Sequence, residues 1–250
     1  MISMWLFSLI RTVDLCQIQH SLVRVYPLLL ICLLSFSSAL AEKNESPLPE
    51  DFVYAKDHIP DLQVDLKYFT GSNFVGARVN GYNAHKLIMT EPTAKALGKV
   101  QDELKQFGLT LKVFDAYRPQ MAVDHFVEWA ADLKDLRTKN AFFPKVPKSE
   151  LFKQGYIAEK SSHTRGSAVD LTIADGKYPF RELDMGSRYD FFDPISWPSD
   201  KSITAAQRAN RMLLQKLMVK HGFRTYDHEW WHFNLKDEPF PETYFDFPVE

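Results

Sequence analysis

Helix-forming and apolar residues dominate three stretches of the chain. Residues 90–108 carry Pro92 near the start and Gly108 at the end, and this pattern predicts a helix with clear boundaries. The same kind of pattern predicts two further helices, at 120–136 and at 204–222, and the second of these ends at Gly222.

Apolar and polar residues alternate with strand periodicity between these helices. The expected strands lie at 62–68, at 109–119 where Pro119 stops the strand, at 167–173, and at 223–235, read as a strand pair or one bent strand. Two long connections complete the order, 138–157 with a short helical piece and the aromatic, proline-rich 178–202. Loops of this length in a compact domain are more often functional than idle. The few short strands predict an α+β fold, a single domain over 52–250.

Composition and charge exclude several classes of partner. Of 250 residues, 45% are hydrophobic and 25% charged, which is enough apolar material for a substantial core. The formal net charge of −2 gives no electrostatic basis for binding nucleic acid or an anionic membrane. A small ligand is the expected partner.

The first 41 residues predict an N-terminal extension and a secretory signal peptide. Arg24 precedes an apolar run from Val25 to Phe36, and small residues lead to a cleavage site after Ala41. A membrane anchor is the alternative, but this run is shorter than the roughly 20 residues that span a bilayer. Polar residues 42–51 then form a tether, and we expect a periplasmic protein without stable membrane insertion.

Both cysteines lie in the part that signal cleavage removes. They are Cys16 and Cys32, so the mature chain would contain neither a disulfide nor a thiolate ligand. Any metal site must therefore use histidine and carboxylate side chains.

One carboxylate interrupts an otherwise apolar strand. In residues 167–173, Val169, Leu171 and Ile173 share one face, while Asp170 lies on the other. His163 precedes Gly166, which can adopt backbone angles that let the loop fold back toward the strand. This pair alone is weak evidence for a metal site, since most such pairs are accidental.

A second segment strengthens the metal hypothesis. Glu229 and His232 lie among three aromatic residues in "EWWHF", where burial is costly unless the polar groups are paired or bind a metal. His163, Asp170 and His232 make a three-ligand set that leaves one zinc position for water, as in catalytic zinc sites. Glu229 is then the expected base, with a surface ion pair as its alternative.

Other residues leave alternatives open. Arg118, at a strand end, can stabilise an oxyanion or simply pair with Asp115. His228 is an alternative ligand to His232. The remaining histidines of the folded part lack a companion carboxylate at useful spacing and are expected at the surface or at helix ends: His58, His85, His125 and His221.

Four motifs occur in a recognisable order, "DAYRP", "SSHTRGSAVDLT", "MGSRYDFFD" and "EWWHF", the last followed by "DEPFPETYFDFPV". Together they resemble the zinc D-alanyl-D-alanine dipeptidases, the VanX-like branch of the peptidoglycan D,D-peptidases in peptidase family M15. The similarity runs from about Ile59 to the C-terminus. It implies an α+β fold with a central antiparallel sheet flanked by helices, of the Hedgehog/DD-peptidase-like type.

The same resemblance implies site residues and an activity. One zinc ion would be held by His163, Asp170 and His232, with Glu229 as general base and Arg118 at the scissile carbonyl. The resemblance also implies substrate contacts. Tyr68 and Asp190 would contact the ammonium group of the dipeptide, and Ser161 would help to orient the bound dipeptide.

The implied reaction is zinc-dependent hydrolysis of D-alanyl-D-alanine to two D-alanine, here in cell-wall turnover because the chain is expected to be exported. Two alternatives remain. One is a D,D-carboxypeptidase acting on peptidoglycan stem peptides, and the other is a non-catalytic zinc-containing binding module.

Overall fold

A five-stranded sheet organises this computed structural model, which describes residues 48–250. The strands are β1 Phe52–Tyr54, β2 Gln63–Val64, β3 Ile88–Thr90, β4 Leu109–Asp115, β5 Ala168–Asp175, β6 Phe223–Tyr226 and β7 Glu229–Leu235. In the main sheet their order is β2-β4-β5-β7-β6, and β1 pairs with β3 separately. All pairings in the main sheet are antiparallel except that of the edge strand β2 with β4.

Helices flank this sheet as an α+β fold requires. Their bounds are α1 Ala55–His58, α2 Glu91–Lys105, α3 Gln120–Ala131, α4 Lys139–Phe142 and α5 Ala205–Lys220. α2 packs against β4, and α5 packs against β5 and β6. At the start of α5, Thr204 and Gln207 form a reciprocal capping box, which satisfies backbone donors that the first turn leaves free. The predicted fold class is confirmed.

The second predicted helix was too long. It was expected over 120–136, but α3 ends at Ala131. The buried ammonium of Lys148 donates to the backbone carbonyls of Asp132 and Asp135, at 2.9 and 2.8 Å. Because these carbonyls are satisfied from outside, the chain can leave the helix there without losing hydrogen bonds.

The predicted strand over 62–68 is regular only at β2. Beyond it, the backbone N–H groups of Asp65 and Lys67 still donate to the carbonyls of Val113 and Phe114. This segment therefore follows β4 at the sheet edge as far as Lys67, which brings the next residue, Tyr68, to the interior.

The two faces of β5 separate the core from the polar site. Val169, Leu171 and Ile173 are all fully buried in the hydrophobic core. Asp170 is equally buried but alternates to the other face, as strand geometry dictates. The sheet thus holds a carboxylate rigidly without disturbing the apolar packing behind it.

The expected signal peptide, 1–41, and all but the last residues of the expected tether, 42–51, lie outside the described residues. Within residues 48–250, the helices are too short or too polar to cross a lipid bilayer.

Candidate active site and metal centre

Three neighbouring strands place polar side chains in one row across the sheet. Asp170 of β5 pairs with His232 of β7 on one side and with Asp115 of β4 on the other. Directly paired residues project from the same face, so their side chains meet. A bulge in β4 just before Asp115 shifts the register and brings that carboxylate into the row.

A tight turn brings His163 to the same place. The turn Ser162–Arg165 is capped by Ser161, whose hydroxyl accepts from the His163 N–H at 3.3 Å. Gly166 ends the turn at φ 80°, a left-handed conformation that suits glycine. A Cβ there would also collide with the ring of Phe52. The glycine therefore allows the chain to fold back onto β5, as the sequence predicted.

His163, Asp170 and His232 converge on one point. They are buried, and each offers a ligand atom within 4.8 Å of the others. The two Asp170 oxygens lie 3.2 Å from His163 Nε2 and 3.0 Å from His232 Nδ1. Burial alone would raise the pKa of the Asp170 carboxyl, but the two histidines hold it well below its ordinary value. The carboxylate is therefore ionised and available as a ligand.

The donor set fits a zinc ion. His163 Nδ1 donates to the carbonyl of Ala116 at 2.7 Å, so Nε2 is the nitrogen that faces the cluster. That nitrogen lies only 3.1 Å from His232 Nδ1. Two imidazole nitrogens and a carboxylate oxygen are donors that zinc accepts, and a backbone carbonyl behind a ligand histidine is a common orienting partner.

Glu229 begins β7 beside this cluster. Its Oε2 lies 3.8 Å from His232 Nδ1, and about a quarter of its side chain is exposed toward the cavity. Burial, reinforced by the nearby charge of Asp170, raises the pKa of the Glu229 carboxyl to about 7. A carboxylate with such a pKa can both accept and return a proton near neutral pH. A cation bound next to it would favour the ionised form.

Arg118 forms the ion pair with Asp115 that the sequence offered as one alternative, and it also lines the cavity. Its Nε donates to Asp115 at 3.0 Å, while its Nη2 lies 3.5 Å from Asp170. The guanidinium also lies over the rings of Tyr68 and Phe126, at 4.9 and 5.2 Å. The Asp115 ion pair thus fixes the guanidinium at the cavity wall with donors left over.

Tyr68 and Asp190 meet beside Arg118 at the cavity wall. The Tyr68 hydroxyl donates to Asp190 at 2.9 Å, and Tyr189 links Tyr68 at 3.0 Å to Asp170 at 2.9 Å. Burial, followed by repulsion from Asp170, raises the pKa of the Asp190 carboxyl well above its ordinary value. A substrate cation at this wall would favour the ionised form of Asp190.

One cavity of about 370 Å³ collects these side chains. All eight residues that the sequence singled out line it: Tyr68, Arg118, Ser161, His163, Asp170, Asp190, Glu229 and His232. Its volume is near the lower end for small-molecule pockets, roughly 300–1,000 Å³.

The other histidines lie apart from the metal group. His228 is exposed and stacks on Trp197 at 4.8 Å, so it does not join the cluster. His125 accepts from the Asn80 N–H at 3.2 Å, and His221 pairs with Glu103 at 2.8 Å. His58 and His85 are exposed.

Sequence reasoning missed residues that support the site from behind. Tyr82 donates to the buried Asp115 at 2.6 Å, Tyr189 bonds to Asp170, and Asn234 lies 2.9 Å from His232. Asn234 could have been found, because it lies two residues after His232 on a strand and so shares its face. The contacts of Tyr82 and Tyr189 depend on tertiary packing that no local pattern encodes.

Residues 49–250 match the family model of peptidase family M15 described as D-Ala-D-Ala dipeptidase. The chain belongs to this family. The M15 match spans nearly all described residues and includes all eight predicted site residues.

Similar proteins cover the same region. The chain is 40% identical over 202 residues to a D-alanyl-D-alanine dipeptidase of Streptomyces coelicolor, covering 80% of this chain and 98% of the relative. It is 41% identical over 199 residues to a D-alanyl-D-alanine dipeptidase of Enterococcus faecalis, and this alignment covers 79% of this chain and 98% of the relative. A solved structure, the vancomycin resistance D,D-pentapeptidase VanY in complex with Zn(II), aligns with a TM-score of 0.37 and 14% identity, over 62% of this chain and 76% of that one.

Proposed function

We propose that this M15 protein is a zinc-dependent dipeptidase that hydrolyses D-alanyl-D-alanine to two molecules of D-alanine. The observation that carries the proposal is that three buried metal donors, the adjacent carboxylate of Glu229 and a buried guanidinium line one small cavity. The family match and the names of the relatives point to the same reaction.

His163, Asp170 and His232 would hold one zinc ion through two nitrogens and one oxygen. When bound, zinc supplies polarisation of the scissile carbonyl and activation of a water molecule. The strand pairing of Asp170 with His232 keeps these ligands in place before the substrate enters.

Glu229 and Arg118 supply the proton transfer and the charge stabilisation. Glu229 accepts a proton from the attacking water and delivers it to the leaving amine, a role that suits a carboxylate that lies beside the three metal donors without being one of them. Arg118 is fixed by Asp115 and donates to the oxygen on which negative charge develops. Because it is buried, this interaction is stronger than in water.

The rest of the wall recognises the substrate's termini. Asp190, held by Tyr68, accepts the ammonium group of the dipeptide through a charge-assisted hydrogen bond. Ser161, 3.5 Å from Arg118, orients the bound dipeptide with its hydroxyl. Asp190 and Phe192 of one long loop line the cavity, and its small volume of about 370 Å³ favours a dipeptide over a longer stem peptide.

An assay with dialanine tests this function. The purified protein should release D-alanine from D-alanyl-D-alanine, lose activity with a zinc chelator, and regain it when zinc is added. A stem pentapeptide ending in D-alanyl-D-alanine should be cleaved much more slowly. Faster release from the pentapeptide would make the protein a carboxypeptidase, and zinc binding without either activity would make it a binding module.

We further propose that the protein is exported and acts on dipeptide released by cell-wall turnover. The sequence of residues 1–41 supports this proposal. Edman sequencing of the protein from the producing cell should begin just after Ala41. An intact N-terminus in the cytoplasmic fraction would contradict export but leave the proposed reaction standing.

A further inference from the structure

The motif "FDFPV", which begins at Phe245, has no part in the proposed chemistry, yet its backbone lies across two turns that carry site residues. The N–H of Phe245 donates to the carbonyl of Thr164 at 3.0 Å, directly after the metal donor His163. The carbonyl of Phe245 accepts from the N–H of Gln120 at 3.1 Å, two residues after Arg118. One residue of this motif therefore joins the turn that carries His163 to the chain around Arg118.

The same motif caps helix α3. The first N–H groups of a helix lack partners within it, and the residue before α3 is Pro119, whose ring cannot accept a hydrogen bond. The carboxylate of Asp246 accepts from the N–H of Met121 at 2.7 Å, beside the bond that Phe245 accepts from Gln120. Two of the free donors of α3 are therefore satisfied by a segment 125 residues away along the chain.

Phe247 holds the other side of Arg118. The Tyr117 hydroxyl donates to the carbonyl of Phe247 at 2.9 Å and accepts from its N–H at 3.0 Å, and the two rings stack with their centroids 4.1 Å apart. Because Tyr117 precedes Arg118 and Gln120 follows it, the motif fixes the backbone on both sides of the arginine. The N–H of Arg118 also donates to the carbonyl of His163 at 3.3 Å. The position of the guanidinium relative to the metal donors therefore depends on this motif.

We propose that Asp246 is a positioning residue that sets the place of Arg118 through the start of α3. Its carboxylate is exposed and bonds to the backbone of Met121, so it acts on the reaction only through the arginine. Arg118 must meet the developing oxyanion at hydrogen-bond distance, and a misplacement of about 1 Å can cost about 10²-fold in rate. The inference rests on the proposed function, because it assigns Asp246 an effect on the rate of that reaction.

Steady-state kinetics with dialanine test the proposal. Asp246→Ala removes the acceptor and should lower kcat about 10-fold, while KM changes by less than about 2-fold and zinc stays at one ion per chain. Asp246→Asn keeps an oxygen that can accept from the Met121 N–H, so its kcat should lie within about 2-fold of the wild type. Glu242→Ala removes an exposed carboxylate of the same segment and is the matched control, with kcat expected to equal that of the wild type.

A double-mutant cycle separates positioning from a general loss of stability. Because Asp246 acts through Arg118, Asp246→Ala should reduce kcat much less in an Arg118→Lys background than in the wild type. A merely structural cap would lower the melting temperature, measured by circular dichroism, and leave kcat per folded chain unchanged. That result, or a full additional loss of kcat in the Arg118→Lys background, would overturn the inference.

A measurement without turnover distinguishes this inference from the proposed function. The Nε–H group of Arg118 donates to Asp115 at 3.0 Å, and its nitrogen-15 NMR signal reports the surroundings of the guanidinium. Asp246→Ala should shift this signal, whereas Asp246→Asn and Glu242→Ala should leave it in place. An unchanged signal in folded Asp246→Ala would mean that Asp246 does not position Arg118. If the signal shifts but the wild type does not hydrolyse dialanine, the proposed function fails and the link between Asp246 and Arg118 stands.

Discussion

The cavity and the packing around Arg211 both bury polar groups, and the two regions satisfy those groups differently. Beneath the long loop of residues 178–202, the buried guanidinium of Arg211 donates to the carbonyls of Met185, Trp197 and Ile195, at 2.6, 3.0 and 2.9 Å. In the cavity, by contrast, the facing nitrogens of His163 and His232 lie 3.1 Å apart, and both contact one carboxylate.

The difference separates a structural polar cluster from a binding site. Around Arg211, hydrogen-bond donors and acceptors match. Burial lowers the pKa of the Arg211 guanidinium to about 10, which still leaves it charged at neutral pH. In the cavity, lone pairs and carboxylates outnumber the protons available to them, so a cation would complete the group. A buried polar cluster whose donors and acceptors are not paired with one another indicates a ligand-binding site. A cluster in which they are paired indicates a structural role.

Removing a ligand should have the largest effect in the molecule. His232→Ala deletes one of three metal donors, so zinc content should fall from one ion per chain to almost none, and dialanine hydrolysis should disappear with it. His228→Ala is a control on the same segment, because that ring stacks on Trp197 outside the cavity. Metal analysis by mass spectrometry should find zinc unchanged in the control. Equal zinc in both variants would exclude His232 as a ligand.

Replacing the proposed base, Glu229, should lower turnover strongly while the metal stays bound. Glu229→Gln keeps the size of the side chain but cannot accept the proton, so kcat should fall about 10²–10⁴-fold. Zinc content should remain one per chain, since Glu229 is not among the three converging donors. Near-normal turnover by the zinc-loaded variant would show that another group acts as the base.

Arg118→Lys should lower kcat about 10²–10³-fold, the usual effect of losing an oxyanion donor. The lysine keeps the charge but cannot hold Asp115 and still face the cavity, because it lacks the planar fork of donors. KM should change much less than kcat, since the interaction forms mainly in the transition state. Steady-state kinetics measure both values, and a rise in KM alone would assign Arg118 to substrate binding.

Replacing Arg211 in the structural cluster should lower the stability of the fold and leave the proposed metal site nearly unchanged. Arg211→Met leaves three buried carbonyls without a donor, and we expect the free energy of unfolding to fall by about 3 kcal/mol. Urea denaturation measures this loss. Zinc affinity should stay within a few-fold of the wild type, because the hydrogen bonds of Arg211 go to loop carbonyls and to Ser187, not to the three proposed ligands. A large loss of zinc with unchanged stability would reverse the roles of the two regions.

The sequence alone was enough to predict the positions of residues that are determined by local backbone geometry. Strand alternation placed Asp170 opposite the core face of β5, and a glycine at φ 80° allowed the turn that brings His163 back to it. All eight residues singled out from the sequence line the cavity, but these local rules explain only Asp170 and His163, and the resemblance to known dipeptidases supplied the roles of Tyr68, Ser161 and Asp190.

Features that depend on contacts with residues far along the chain could not be predicted from the sequence. The end of α3 at Ala131 requires the Lys148 ammonium, which comes from a later segment of the chain. The bulge that brings Asp115 into line with Asp170 is visible only in the paired strands. Arg211 looks like an ordinary helix residue until the loop carbonyls surround it. Non-local hydrogen bonds of this kind are not encoded in periodicity.

The smallest effect should come from a charge that is paired at the surface of the sheet. Lys112 of β4 contacts Glu182 at 2.7 Å and Asp65 at 3.1 Å, and about a fifth of its side chain is exposed. Because water still screens these pairs, Lys112→Met should cost about 0.5–1 kcal/mol of unfolding free energy, and less in high salt. Zinc content and kcat should not change. A loss as large as that of Arg211→Met would mean that charge itself, and not the matching of buried donors with acceptors, decides what a polar group contributes to this fold.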